Sequence, residues 1–248
     1  MQILALLTRD WLIVKKNILF YITLWIAMPI ILHLILAIPL SQIIKMKVLY
    51  LNWSAASIWI GSSSIITYFE SSYRMQKINH ETDYISAILS TPIKNYQIII
   101  ANSIIGLILG IVQFLFSLII ISILHHEFYG LFNLIIIFFQ IICLLIFVSI
   151  MGTLLGLLIP KRLLYLQISI IVLFIFCFGL GIFIPLSSYP SAYINVISFI
   201  PLIDIIKNIQ SIITHYPISW FSYISNLMMA ILFFLIAIII SKKNMRKL

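Results

Sequence analysis

Six apolar runs, at residues 18–40, 51–72, 98–124, 131–159, 163–184 and 220–240, are each long enough to cross a lipid bilayer. With about 1.5 Å of rise per helical residue and ~30 Å of hydrocarbon, a span needs about 20 apolar residues. Hydrocarbon offers no water to backbone N–H and C=O groups, so each run must satisfy its own hydrogen bonds as a helix. The sequence therefore predicts an all-α membrane protein, a single unit of six transmembrane helices over residues 1–248.

Composition points the same way. Apolar residues make up 63% of the chain and charged residues 8%, whereas a soluble surface needs about a quarter of the chain in Asp, Glu, Lys and Arg. A cytosolic enzyme and a nucleic-acid binder are both excluded on this ground. The net charge of +9 sits in short clusters between the apolar runs, the pattern that orients a chain in the membrane. With the termini inside, Arg9, Lys15, Lys16, Arg74, Lys77, Lys94, Lys161, Arg162, Lys242, Lys243, Arg246 and Lys247 fall on the inner side, and only Lys45, Lys47 and Lys207 on the outer. This predicts a multi-pass protein of the cell membrane with both termini cytoplasmic. Cys143 and Cys177 lie in the middle of apolar runs, where a small apolar side chain is ordinary, and give no disulfide or metal framework. The first run is too long for a signal-peptide core and no cleavage pattern follows it, so it is expected to remain as a membrane helix.

Before the first run, Ile3, Leu4, Leu7, Trp11 and Val14 recur at helical spacing, opposite Gln2, Thr8, Arg9, Lys15 and Lys16. The pattern predicts an amphipathic helix over residues 1–16 lying in the inner interface, with Trp11 at headgroup depth. A plain anchor and a partner surface account for it equally well. After the fifth run, Pro185, Pro190, Pro201 and Pro217 cut an apolar segment into pieces of 10 to 15 residues, too short to cross. The second piece sets Leu202, Ile205, Ile206, Ile209, Ile212 and Ile213 opposite Asp204, Lys207, Asn208 and Ser211. A re-entrant helical hairpin over 185–217, dipping in from the outer side, is expected, with its irregular backbone shielded by protein.

The main inner loop, residues 71–97, holds a candidate short helix over 82–89. Thr82 suits its N-cap, Asp83 sits in the first turn where the helix dipole favours an anion, and Pro92 lies past its end. Ile85, Ile88 and Leu89 then form an apolar face on a water-facing loop, which marks a docking surface.

Chemistry-bearing residues are sparse. No G-x-x-x-x-G-K-[ST] loop occurs, so the chain has no phosphate loop for ATP. His125-His126-Glu127 lacks a second ligand group at metal-site spacing and reads as a solvated loop. The span centres carry no Asp, Glu, Lys or Arg, unlike an ion-coupled transporter. Glu70 and Arg74 stand four apart as an interfacial ion pair, and His33 reads as a packing histidine. No protease arrangement falls on facing spans. What the spans do hold is small, weakly polar stripes: Ser54, Ser57, Gly61 and Ser64 on the second; Asn102, Gly106, Gly110, Gln113 and Ser117 on the third; Gly152 and Gly156 on the fourth. Such stripes permit close helix packing, and one of them could equally line a path for an amphiphilic cargo.

Two local motifs, with the layout, resemble the permease subunits of ABC type 2 exporters, a family that moves drugs, polysaccharides and lipid-linked glycans. Ile85-Ser86-Ala87-Ile88-Leu89-Ser90-Thr91-Pro92-Ile93 followed by Tyr96-Gln97-Ile98 is similar to the family's L-E-x-L-L-x-T-P-V … E-I stretch after the second span. Phe183-Ile184-Pro185-Leu186-Ser187-Ser188-Tyr189-Pro190, with Pro201-Leu202 downstream, is similar to F-F-P-L-x-x-L-P … N-P-L after the fifth. The family's Gly, Glu, Asn and Arg at four aligned places are Asp83, Ser86, Ile200 and Gln210 here, so those roles do not transfer.

The resemblance implies that residues 82–97, with Thr82, Ile85, Ile88, Leu89, Thr91 and Pro92, contain a coupling helix docking on a cytoplasmic ATPase. It also implies that residues 1–16, with Arg9, Trp11 and Lys15, form the interface helix. The outer hairpin would carry Pro185, Pro190, Pro201, Asp204 and Lys207. Two permeases, as a homodimer, would pair with two ATPases, which would bind ATP and Mg; this chain would hold no cofactor and catalyse no reaction. A non-transporting membrane assembly subunit is the runner-up, and a secondary transporter or channel the third alternative.

Overall fold

The computed structural model describes residues 2–44, 49–80, 93–126, 130–159, 161–213 and 221–244. Every regular element among them is helical. Helix α1 spans Gln2–Lys16 and α2 Ile18–Ile43; α3 spans Tyr50–His80, α4 Asn95–His125 and α5 Leu131–Leu158. Helix α6 runs over Arg162–Gly179, two short helices follow as α7 (Ser191–Ile197) and α8 (Pro201–Ile213), and α9 is Phe221–Asn244. The candidate coupling residues Thr82, Ile85, Ile88, Leu89, Thr91 and Pro92 lie outside the described residues, as does Pro217.

Among the described residues, five helices are both long and apolar enough to cross a membrane: Ile18–Ile43, Asn95–His125, Leu131–Leu158, Arg162–Gly179 and Tyr223–Ser241. The protein is thus a multi-pass, all-helical membrane protein. The pair Ser191–Ile197 and Pro201–Ile213, bent by 109°, passes the same test only as a unit, bringing the number to six. Helix α3, the second of the six runs read from the sequence, is long enough at 31 residues but falls outside that set. Its position explains this. Helix α3 sits at the centre of the bundle, packed against α2, α4, α5, α6 and α8. Ser54, Ser57, Ser62, Ser63, Ser64, Thr67, Ser71 and Ser72 on it are all fully buried. A helix that meets protein on every side needs no apolar surface, whereas the outer faces of α2, α4, α6 and α9 carry exposed Leu, Ile and Phe.

Small residues let the neighbours reach α3. A Cβ added at Gly152 would stand 2.8 Å from the Tyr68 carbonyl oxygen, and one at Gly156 would collide with the Ser72 carbonyl. Gly106 and Gly110 likewise face Ser71 and Thr67 side chains. Backbone approaches this close exclude any side chain.

Two departures from regular helix matter. In α2, Pro29 has no N–H, so the Trp25 carbonyl four residues earlier lacks a helical donor. The next turns, His33–Ala37, are wound as a π-helix before α2 resumes. In α6 the helix passes through a π turn, Ile175–Gly179, and stops, five residues before the end expected for the run 163–184. Gly181, at φ +82, turns the chain into the left-handed region that a Cβ disfavours. Residues 180–184 are therefore irregular, although they are apolar enough to extend a span.

Candidate functional site

The irregular stretch at the end of α6 is the first of three features that carry functional potential. Helices α7 and α8 form a proline-bounded elbow beside it, and side chains supply the hydrogen bonds that its backbone lacks. The Tyr189 hydroxyl donates to Phe178 O (2.5 Å), the Tyr193 hydroxyl to Gly179 O (2.9 Å) and the Tyr50 hydroxyl to Phe183 O (2.6 Å). The Gln210 Nε2 donates to Gly181 O (3.0 Å) and Ile182 O (3.3 Å). Five of the six carbonyls from 178 to 183 thus accept a side-chain hydrogen bond, which is what non-helical backbone in a membrane bundle requires. The sequence names Gln210 only as a departure from a family Arg; its amide matters here because it presents donors to two adjacent carbonyls.

Elsewhere in the elbow, Pro185 is buried, Pro190 is exposed and Pro201 opens α8, a first-turn position where proline costs no hydrogen bond. Lys207 is exposed and Asp204 half-buried, but Asn208, expected on the same polar face, is buried together with Gln210. The apolar face of α8, with Leu202, Ile205, Ile206 and Ile209, packs into the main core.

A polar seam between α3, α4 and α5 is the second feature. The Ser62 and Ser117 hydroxyls share a hydrogen bond of 2.6 Å, and those of Ser71 and Ser149 one of 3.0 Å. Asn102 Nδ2 donates to Ser71 O (2.7 Å) and to Thr153 Oγ1 (3.0 Å). Gln113 Nε2 donates to Ser117 Oγ (3.1 Å) and to the Trp25 carbonyl that Pro29 leaves open (3.2 Å). Of the residues read as path or packing, Asn102, Gly106, Gly110 and Gln113 are buried against α3 or α2, and Ser54, Ser57 and Gly61 are buried within the bundle. Ser64 differs, since it lines a cavity of about 300 Å³ with Tyr68, Phe147, Met151, Phe176 and Phe233. That cavity lies halfway along α3, α5, α6 and α9, and its walls suit a hydrocarbon group.

The third feature is an ion cluster where α1 and α2 meet the far end of α3. Arg74 Nε donates to Glu70 Oε2 (2.9 Å), the Tyr21 hydroxyl donates to Glu70 Oε1 (2.9 Å), and Asp10 lies 4.0 Å from Arg74. Asp10 also pairs with Arg9 at 2.8 Å. Burial opposes the charge on Arg74, yet the neighbouring Glu70, with Tyr21 and Asp10, outweighs it and raises the guanidinium pKa. The sequence yields the Glu70–Arg74 pair but misses Asp10 and Tyr21, which join it only through tertiary contact. On α1 Leu6, Asp10 and Val14 are buried and Ile3 and Leu7 pack against the core, while Leu4, Trp11 and Lys15 are exposed; of the apolar stripe read from the sequence, Ile3, Leu7 and Val14 thus meet protein and Leu4 and Trp11 do not.

At the opposite end of α2 and α4, His125 Nε2 lies 3.4 Å from His33 Nδ1, so His33 has a partner the sequence does not disclose. Among the described residues no group of three or more His, Cys, Asp or Glu could hold a metal ion. Comparison with protein-family models, with curated proteins and with solved structures gives no match.

Proposed function

We propose that this chain is the transmembrane permease subunit of an ABC type 2 exporter. It moves an amphiphilic, lipid-linked or drug-like cargo out of the cytoplasm or inner leaflet. The observation that carries the reading is the elbow: two short helices, bent by 109°, occupy the stretch whose proline pattern resembles that family's outer hairpin. Two further observations support it. The span centres lack acidic and basic residues, as suits a subunit driven by ATP bound elsewhere. The cavity beside Ser64 and Tyr68 offers an apolar wall to the apolar part of such a cargo.

In this reading two copies of the chain assemble with two cytoplasmic ATPases, which bind ATP and Mg. The segment 82–97 receives the ATPase and connects α3 to α4, so a push on it acts on the central helix first. Helix α3 touches α2, α4, α5, α6 and α8, and can pass the displacement to the cavity and the elbow together. The termini and the 71–97 loop are cytoplasmic, and the elbow faces outward.

The test is co-purification with a co-expressed ATPase, followed by ATP turnover and export. Ile85, Ile88 and Leu89 would each contribute about 1.5–3 kcal/mol when buried at the docking surface. Ile88→Asp is expected to abolish association while the subunit still inserts, and Asn79→Asp to leave it intact. Normal association and export by Ile88→Asp would remove the docking-helix reading.

A further inference from the structure

The cavity beside Ser64 is walled by α3, α5, α6, α8 and α9, and its walls are graded in burial. Tyr68, Phe147, Val148 and Leu202 form a floor in which no side chain is more than 7% exposed, whereas Ile175 at the mouth is 57% exposed. Val172, Met229 and Phe233 are half-buried. Beyond the mouth, Ile171 and Phe174 on α6 and Met228 and Leu232 on α9 are exposed, so the cavity is continuous with an apolar outer surface.

The mouth lies between α6 and α9. Helix α6 packs on α3 and α5, and α9 packs on α4, α5 and α8; among the described residues α6 and α9 form no packed seam with each other. Met229 and Phe233 sit in the middle turns of α9, and Phe147 to Met151 in those of α5, so the mouth opens at the level of lipid chains, not of headgroups. No oxygen or nitrogen atom is exposed within the cavity. A charged or hydrogen-bonding group would lose its partners on entering, and a hydrocarbon group would not. Apolar cavities of this kind exclude water and accept apolar guests.

We propose that this cavity takes the end of one hydrocarbon chain of a bilayer phospholipid, which enters sideways between α6 and α9 while its headgroup stays at the surface. A volume of about 300 Å³ suits a segment of one chain and not a whole lipid. Leu180 and Ile200 also line the cavity, so the chain end touches the irregular end of α6 and the residue just before α8, and braces the elbow. The inference deepens the export reading and rests on it only in calling the guest a cargo. The cargo is then a membrane lipid taken from the bilayer, not a solute taken from the cytoplasm.

The experiment is photolabelling of the full chain, without an ATPase, in vesicles of dioleoyl phosphatidylcholine. These contain a fraction of phosphatidylcholine with a diazirine near the methyl end of one chain, and adducts are mapped by peptide mass spectrometry. On the wild-type chain adducts are expected at Phe147, Val148 or Met151, inside the cavity, and also at Met228 and Leu232, which meet lipid whether or not the cavity is used. Val148→Trp fills the cavity and should lower the inner adducts by about ten-fold while sparing the outer ones, since a close-packed site has no room to share. Because Val148→Trp can disturb the core, Ile175→Trp gives a second variant with the same expected loss. It narrows the mouth from an exposed position, where a larger side chain meets lipid and not packed protein. On the wild-type chain, dodecane, a chain without a headgroup, should compete for the inner adducts, and phosphocholine, a headgroup without a chain, should not. A wild-type chain without inner adducts, inner adducts unchanged in both variants, or competition by phosphocholine would overturn the proposal. With no ATPase present, each of these results leaves the docking test of the exporter reading untouched, and a failure of ATPase docking leaves the labelling result standing.

Discussion

Gln113 Nε2 donates to the Trp25 carbonyl at 3.2 Å, and that carbonyl is the one Pro29 deprives of its helical partner. A side chain on α4 thus completes the backbone of α2. In water a free carbonyl would find solvent; inside a membrane bundle it needs protein. The relationship gives Gln113 a structural role where the sequence offers only a polar stripe.

Replacing Gln113 by Leu should therefore destabilise the protein by about 1–3 kcal/mol, the cost of leaving a buried polar group unpaired. Pro29→Ala restores an N–H four residues after Trp25, so the Pro29→Ala/Gln113→Leu double variant should recover part of that loss. Thermal melts of the four proteins in detergent check this as a double-mutant cycle, and strict additivity would argue against the assignment.

At the elbow, Gln210→Leu leaves the Gly181 and Ile182 carbonyls without their donor. We expect a loss of about 1–3 kcal/mol, with proteolysis or hydrogen exchange rising first at residues 180–190. Gln210→Glu should also fail, because an ionised carboxylate donates nothing to a carbonyl. Wild-type protection at 180–190 in both variants would show that Gln210 does not hold this stretch.

Helix spacing around α3 gives a steric prediction. Gly156→Val places side-chain carbons against the Ser72 backbone, which cannot move aside as a side chain can. Destabilisation of about 1–3 kcal/mol or more is expected. Gly130→Val, at a glycine with open space around the Cβ position, serves as the control and should be near neutral. Melting temperatures of the two variants measure the contrast.

Orientation can be read by labelling in a background without Cys143 and Cys177. Ser188→Cys, at an exposed position on the elbow, should react with an impermeant thiol reagent added to intact cells. Tyr96→Cys, exposed at the start of α4, should react only after the membrane is opened. The reverse result would invert the proposed topology.

Long apolar runs were legible because hydropathy is a local property: α2, α4, α5 and α9 begin and end close to where composition changes, and α6 begins there. The proline-cut segment was legible for the same reason, since Pro190 and Pro201 act on their own turns and set the start of α7 and α8. The first place where this fails is the end of α6, where Gly181 turns the chain although Ile182, Phe183 and Ile184 are apolar enough to continue a span.

A helical membrane protein, with its apolar runs and its punctuation, follows from local composition alone. Which helix lies at the centre was decided by tertiary structure. The serines of α3 lower its hydropathy, and only packing on all sides by other helices turns that apparent defect into the core of the bundle. Asp10 with Arg74, His33 with His125, Gln113 with Trp25 and Gln210 with Gly181 were decided there too. Their partners are 64, 92, 88 and 29 residues apart in the chain. The physical reason is common to all of them: hydrocarbon does not pair with a polar group, so each is satisfied by whichever distant element the fold brings beside it.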